Sequence, residues 1–363
     1  NADLTDTDLS ESRLSGADLS GSRMVKSRLS FANLTGANLS YADLSGSILT
    51  ASYLVGCNFF RANLAGTNLE NSLMHNARLS EARLTGSTIA RAHLADSDLS
   101  FCNLERTDFT GALLSSCNLT RVNLQGARLL SADLSLAVLK NSDLSGANLV
   151  GSRMNWANLA GSTLKRCQFS RAELFGADLS HCDFSDSDFT RAYLPRAKLQ
   201  GSNLRNAKFD NADLSNTNMS ESDLAGIQFV KVDLDEADLS GANLAGCGMQ
   251  SMNLQGTIMQ KAILRSTSFD LMILEKVDLR GADLRNAKFN SSFLRDVNLS
   301  GADLRNADLR MIALLNVDLS GANLVGLKYD SLVLPMIAGS KLDGAKMGAK
   351  METEIEKLRS GKM

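Results

Sequence analysis

Every fifth residue from Leu4 to Leu334 is large and apolar, and the register never slips. This column has 67 positions: 50 Leu, 9 Phe and 6 Met, with Ile89 and Tyr329 completing it. A second column runs two residues earlier, where 56 members are Ala, Ser, Thr or Cys and 11 are larger apolar residues. Neither column admits a charge. A period of five matches neither the helix nor the alternating strand. It predicts a backbone that turns a corner once per repeat and sends both columns inward, an all-β solenoid. Glycine marks the corner: of 23 Gly inside the repeat, 22 lie two residues after the large residue, among them Gly16, Gly36 and Gly146. A turn there wants a permissive backbone. Gly248 breaks the rule, and a local kink is expected at it.

The size of one coil follows from the larger side chains. Seven of the nine Phe residues (Phe109, Phe169, Phe189, Phe209, Phe229, Phe269 and Phe289) share one phase when the chain is wrapped every twenty residues. Rings so placed would stack along one wall of a four-sided coil. Val277, Val297 and Val317 share a second phase. Four repeats therefore close one turn.

Segments such as Ala17-Asp18-Leu19-Ser20-Gly21, Ala147-Asn148-Leu149-Val150-Gly151 and Ala302-Asp303-Leu304 resemble the pentapeptide-repeat family. Its consensus is Ala, then Asp or Asn, then Leu, then two variable residues, and the resemblance covers residues 2 to 334. It implies a right-handed quadrilateral β-helix with four pentapeptides per coil, hence between sixteen and seventeen coils. At roughly 4.8 Å per layer the rod would be about 80 Å long. Residues 1–334 are expected to form this domain, and residues 335–363 a capping or dimerisation segment. Within that segment Met347, Met351, Ile355 and Leu358 recur at helical spacing. They predict a short amphipathic helix over 346–359. A solenoid end exposes strand edges and an apolar cross-section, so this helix is expected to cap the end or to join two copies. At the other end Ala2-Asp3-Leu4 is already in register, and a further domain or a stacked partner is expected before it.

Charge and cysteine narrow the function. Lys plus Arg number 38 and Asp plus Glu 40, a net charge of −2, so direct nucleic-acid binding is not expected. No apolar run is long enough for membrane insertion. Cys57, Cys102, Cys117, Cys167, Cys182 and Cys247 all occupy the small inward column. They read as buried core thiols rather than disulfides or ligands, which suits the cytoplasm or another reducing compartment. His75, His93 and His181 are the only histidines, and no third ligand joins them. Neither a metal nor a cofactor is expected. A filled interior leaves no pocket for catalysis, so no catalytic residue is assigned and the chain is read as a non-enzyme.

What remains is the surface. Apolar residues stand in outward columns on one face: Tyr53, Leu73 and Leu113, then Trp156, Phe175 and Tyr193, then Ile273, Phe293, Ala313 and Val333. Stacked rows of this kind mark contact sites. The first row is read as a partner site and the last as a surface covered by the C-terminal segment. Arg265, Arg285 and Arg305 form a ladder beside Asp283 and Asp303. It reads as a solvated, partly paired surface, with a phosphate or acidic-partner contact as the sharper reading. The leading function is a non-catalytic protein–protein scaffold with an unidentified protein partner, including homodimerisation through the C-terminal segment. One alternative is a duplex-DNA mimic that binds a type II topoisomerase, which the resemblance implies for some members but the near-neutral charge disfavours. Another is an architectural component of a large assembly.

Overall fold

The computed structural model describes residues 2–250 and 252–361; Asn1, Ser251, Lys362 and Met363 lie outside the described residues. The chain divides into two compact units, Asn1–Tyr193 and Leu194–Met363. Both are built from the same repeat.

The corner comes first. In repeat after repeat, the residue two after the large one holds a φ between +53° and +76°. The next residue donates its N–H to the large residue's carbonyl, as Thr7 does to Leu4 at 3.2 Å and Ala37 to Leu34 at 2.7 Å. This is the pattern of a type II turn, which glycine enters freely. Many corners hold bulkier residues instead, among them Arg61, Phe101 and Trp156. Each pays about 1 kcal/mol for the left-handed backbone.

Bonds between coils offset that strain. The large residue donates to the carbonyl nineteen positions on, as Leu4 does to Arg23 at 2.7 Å, while Arg23 donates back to Ala2 at 2.9 Å. Parallel bridges join residues twenty apart on four successive sides: Asp3 to Arg23, Asp8 to Arg28, Arg13 to Asn33 and Asp18 to Asn38. Most sides are only one bridge long. Among the described residues five are full strands: β1 Gln228–Val230, β2 Gly248–Gln250, β3 Ile273–Glu275, β4 Phe293–Arg295 and β5 Ala313–Leu315. β1 pairs with β2, and β3, β4 and β5 form a parallel sheet in register Ile273–Phe293–Ala313. The residues that follow these strands are Val232, Met252, Val277, Val297 and Val317, all large members of the small column. A branched or long side chain there crowds the tight corner, so the preceding segment stays extended. Bulk alone is not sufficient, because Ile227 keeps its turn bond to Leu224 at 3.2 Å. Gly248 causes no break: the ladder runs through it from Gln228 to Ser268, and its missing side chain leaves room for that of Gln228.

Both inner columns are buried from Met24 to Ile312, whereas Leu314 and Tyr329 are half-buried and Leu332 is exposed where the coil opens towards the C-terminal segment. Many of their polar members donate to the carbonyl 23 residues earlier, others such as Ser52 and Ser72 to the carbonyl three residues earlier, and the buried hydroxyls of Ser87 and Ser152 find no partner. Ser47 donates to Met24 at 2.6 Å, Cys57 to Leu34 at 2.9 Å and Thr67 to Leu44 at 3.1 Å. That bond explains why Ser, Thr and Cys substitute for Ala in a dry interior. The phenylalanine wall stacks as expected, with Phe169 and Phe189 at 4.7 Å in the first unit and Phe269 and Phe289 at 4.8 Å in the second.

The C-terminal segment departs from expectation. The repeat does not end at Leu334. A six-residue helix, α1 (Leu334–Gly339) with Pro335 in its first turn, bulges out, and the coil then resumes. Lys341 bridges Asp318 and Lys346 bridges Asn323, so the return takes 23 residues instead of twenty. Leu342 is buried as a centre and Gly344 makes the corner at φ +70°. A second helix, α2, spans Ala349–Arg359, so Met347 lies outside it, half-buried in the last repeat. Met351 and Ile355 are buried and Leu358 is half-buried. Arg359 donates to the α1 carbonyl of Ala338 at 2.8 Å. The Tyr329 hydroxyl donates to Glu354 at 2.8 Å. Burial and the Glu354 carboxylate push that phenol up to about 12.

Candidate functional site

The outward columns decide what each unit can touch. Asp and Asn before each centre are spent locally: the carboxylate of Asp8 accepts the Ser10 N–H at 3.0 Å. Asn amides then link coils, as Asn38 does to Asp18 at 3.1 Å and Asn63 to Asp43 at 2.9 Å. These side chains hold the turns and leave recognition to the other columns.

In the first unit, Tyr53, Leu73, His93 and Leu113 bridge in succession. Tyr53 and His93 are exposed, while Leu73 and Leu113 are half-buried, so this row is narrow and polar in its middle. The stronger feature lies further along. Trp156 stands at a corner, 54% exposed, with its ring edge-on to Phe175 at 5.3 Å. Phe175 in turn stacks on Tyr193 at 6.3 Å. The Trp156 ring covers Gly176, where any Cβ would collide with it, so glycine forms the floor of this cluster. Asn155 braces it, accepting the Phe175 N–H at 3.0 Å and donating to Glu173 at 3.2 Å. Exposed Leu136 occupies the same corner one coil earlier, and exposed Arg171 and Arg191 lie on another corner.

A second aromatic column escaped the sequence reading. Tyr41, Arg61, Glu81, Phe101 and Arg121 share one corner at intervals of twenty. Tyr41 meets Phe60 edge-on at 5.6 Å, Arg61 lies over Phe60 at 5.1 Å and Arg121 over Phe101 at 5.9 Å. Arg61 also pairs with Glu81 at 2.7 Å. Wrapping the glycine column every twenty residues would have found it.

In the second unit the C-terminal segment covers only one end of its row. Val333 is fully buried where α1 begins, but Ile273 is 66% exposed and Phe293 half-buried. The expected covering therefore fails over β3 and β4: α1 is too short, reaching only β5, where the Met336 sulfur meets the Leu314 amide at 3.4 Å. Leu271, 81% exposed, and Met311 flank the row. The arginine ladder is paired throughout. Arg265 and Arg285 both bond Asp283, and Arg305 bonds Asp303 at 2.6 Å. The Arg285 guanidinium, helped by Arg265, holds the Asp283 carboxyl down at about 2.

The concavities beside the C-terminal segment are open to solvent. One of about 440 Å³ lies between α2 and the last coil, lined by Tyr329, Leu334, Lys350 and Glu354 among others. Another of about 560 Å³ runs beside α1 from Leu315 to Lys341. Among the described residues no cluster of three or more His, Cys, Asp or Glu could hold a metal ion, and no helix is long and apolar enough to cross a membrane. Burial pushes all six cysteine thiols up to about 12.

The chain belongs to the pentapeptide-repeat family. A model of pentapeptide repeats in eight copies matches residues 2–40, 12–50, 117–155, 233–270, 262–301, 278–311 and 298–328. A pentapeptide repeat region model matches 53–129 and 162–239. Proteins of this family are generally non-catalytic. Among solved structures the chain is similar to HetL, involved in heterocyst differentiation regulation in the cyanobacterium Nostoc sp. strain PCC 7120. The identity is 25% over 71% of this chain and 89% of that one, with a TM-score of 0.24. It is also similar to QnrB1, a plasmid-mediated fluoroquinolone resistance protein, at 18% identity over 67% and 94%, with a TM-score of 0.27. A pentapeptide repeat protein of the Arabidopsis thaliana thylakoid lumen matches at 25% identity over 39% and 71%, with a TM-score of 0.13. No curated protein matches.

Proposed function

We propose that this chain is a non-catalytic scaffold that presents a protein-binding surface on a right-handed quadrilateral β-helix, in a reducing compartment. The observation that carries this reading is the Trp156–Phe175–Tyr193 cluster. A solvent-facing corner is a poor place for tryptophan, which there adopts a left-handed backbone and leaves about half of its surface in water. Large aromatics with arginines nearby are the residues that dominate protein interfaces. The floor at Gly176 and the brace from Asn155 hold the rings in place without a partner, so little order need be gained on binding.

The topoisomerase-binding alternative requires an unbroken acidic face to stand in for phosphates. The acidic column that would supply it is neutralised within each unit: Lys165 pairs with Asp183 at 3.1 Å, Arg205 with Asp223 at 2.5 Å, and Arg265 with Asp283. The scaffold reading is therefore preferred. Trp156 is the only tryptophan in the chain, which makes the test direct. Proteins captured from the native source by wild type and by Trp156→Ala are compared, and a partner held only by wild type is titrated against it. A blue shift of the Trp156 emission on saturation is expected. Partners captured equally by both proteins, with no change in emission, would overturn the assignment.

A further inference from the structure

The second unit carries an uncovered surface of a different character. The outer face of the β3–β4–β5 sheet gathers Leu271, Ile273, Phe293, Met311 and Leu315, and Leu332 extends it towards α1. Leu332 is 72% exposed and Met311 68%. The sheet register holds Ile273, Phe293 and Ala313 in one line, which makes an apolar plane, and Leu271 and Met311 stand on the corner beside it, two coils apart. Apolar side chains gathered in this way mark contact sites.

We infer that this plane is the interface between two copies of the chain, related by a twofold axis. Three observations single out a second copy. First, Leu271, Ile273, Met311 and Leu332 are each about two thirds or more exposed, the kind of apolar surface that a permanent interface between copies buries. Second, the plane is mainly aliphatic, like the core of a permanent interface, and lacks the Trp and Tyr that the first unit displays. Third, its charged rim is balanced. Glu275 and Arg295 pair across β3 and β4, and Lys276 and Asp296 stand at the adjacent corner. A twofold mate presents the same two acids and two bases, so acid can face base on both sides of the axis. A strongly charged partner would find no complement here. This interface lies on the side of the coil, and α2 takes no part in it.

Mass measurement by light scattering on the full chain tests this. Wild type should run at twice 39.0 kDa. Ile273→Glu and Leu271→Lys should each run at the single-chain mass with unchanged circular dichroism and melting, because both side chains are mostly solvated in the lone chain. Trp156→Ala should remain a dimer, which separates this interface from the aromatic cluster. Wild type at single-chain mass at high micromolar concentration would overturn the inference. So would a folded Ile273→Glu or Leu271→Lys protein that stays dimeric. If one variant misfolds, the other decides.

Discussion

Leu144→Ala probes how rigid the coil is. Leu144 is fully buried in the first unit. Its N–H donates to Thr163 at 2.8 Å, and its carbonyl accepts Ala147 at 2.8 Å and the Cys167 thiol at 3.0 Å. Losing three carbon groups removes about 2.4 kcal/mol of transfer energy, at ~0.8 kcal/mol each. A hole of roughly 80 Å³ that cannot close adds about 2 kcal/mol. Collapse is resisted because the coils on either side are spaced by those short backbone bonds, so a total near 4 kcal/mol is expected. The stability of a solenoid is a sum of local and neighbour terms. Hydrogen exchange at the Leu144 and Thr163 amides should therefore show the loss locally, alongside a lower denaturation midpoint. Leu144→Asp should cost still more, since no water reaches the site. A loss below about 1 kcal/mol for Leu144→Ala would show that coils slide together and that the interior is not held as argued.

The six buried thiols should resist alkylation in the native state and all react after denaturation; fewer than six free thiols would contradict their placement. Asp283 has its folded pKa depressed from 3.8 to about 2, so its contribution to stability is present above pH 4 and fades as pH falls through 2. Asp303 and Asp308, held down by Arg305 and Arg310, act in the same direction. The slope of melting temperature against pH in that window should flatten in Asp283→Asn, and an unchanged slope would count against the pairing. Truncation after Gly348 removes α2 and its Glu354, so the Tyr329 phenol should titrate nearer its ordinary range, read by ultraviolet absorbance, and melting should fall. A potent block of supercoiling by a type II topoisomerase would promote the acidic-mimic reading over the scaffold.

The inner columns were readable because each position in them has one neighbour set, repeated every twenty residues, so size alone selects the residue. The coil period was visible for the same reason, through Phe169, Phe189 and their phase-mates. The strands β1 to β5 were marked by Val232, Met252, Val277, Val297 and Val317, although their meaning needed the corner geometry. The tail was misread because α1 inserts three extra residues: Leu342 and Met347 are centres in a shifted frame, which a strict five-residue scan passes over. The aromatic corner at Tyr41, Arg61 and Phe101 was missed because its column was treated as a place for glycine alone. The exposure of Ile273 depends on where a six-residue helix lands, and no local pattern states that.

The twenty-residue offset of every bridge has a consequence for how such a chain can change length. Removing one whole block of twenty from the interior of the first unit joins two coils whose backbone bonds and corners keep their offsets, and every column stays on its own face across the seam. Removing five leaves both inner columns intact yet rotates everything beyond the seam by a quarter turn. With the seam between Phe169 and Phe175, Phe169 would then lose Phe189, and Trp156 its neighbour Phe175. Duplication and deletion of gene segments are therefore not equivalent at all sizes: the fold tolerates multiples of five, but its surfaces survive only multiples of twenty.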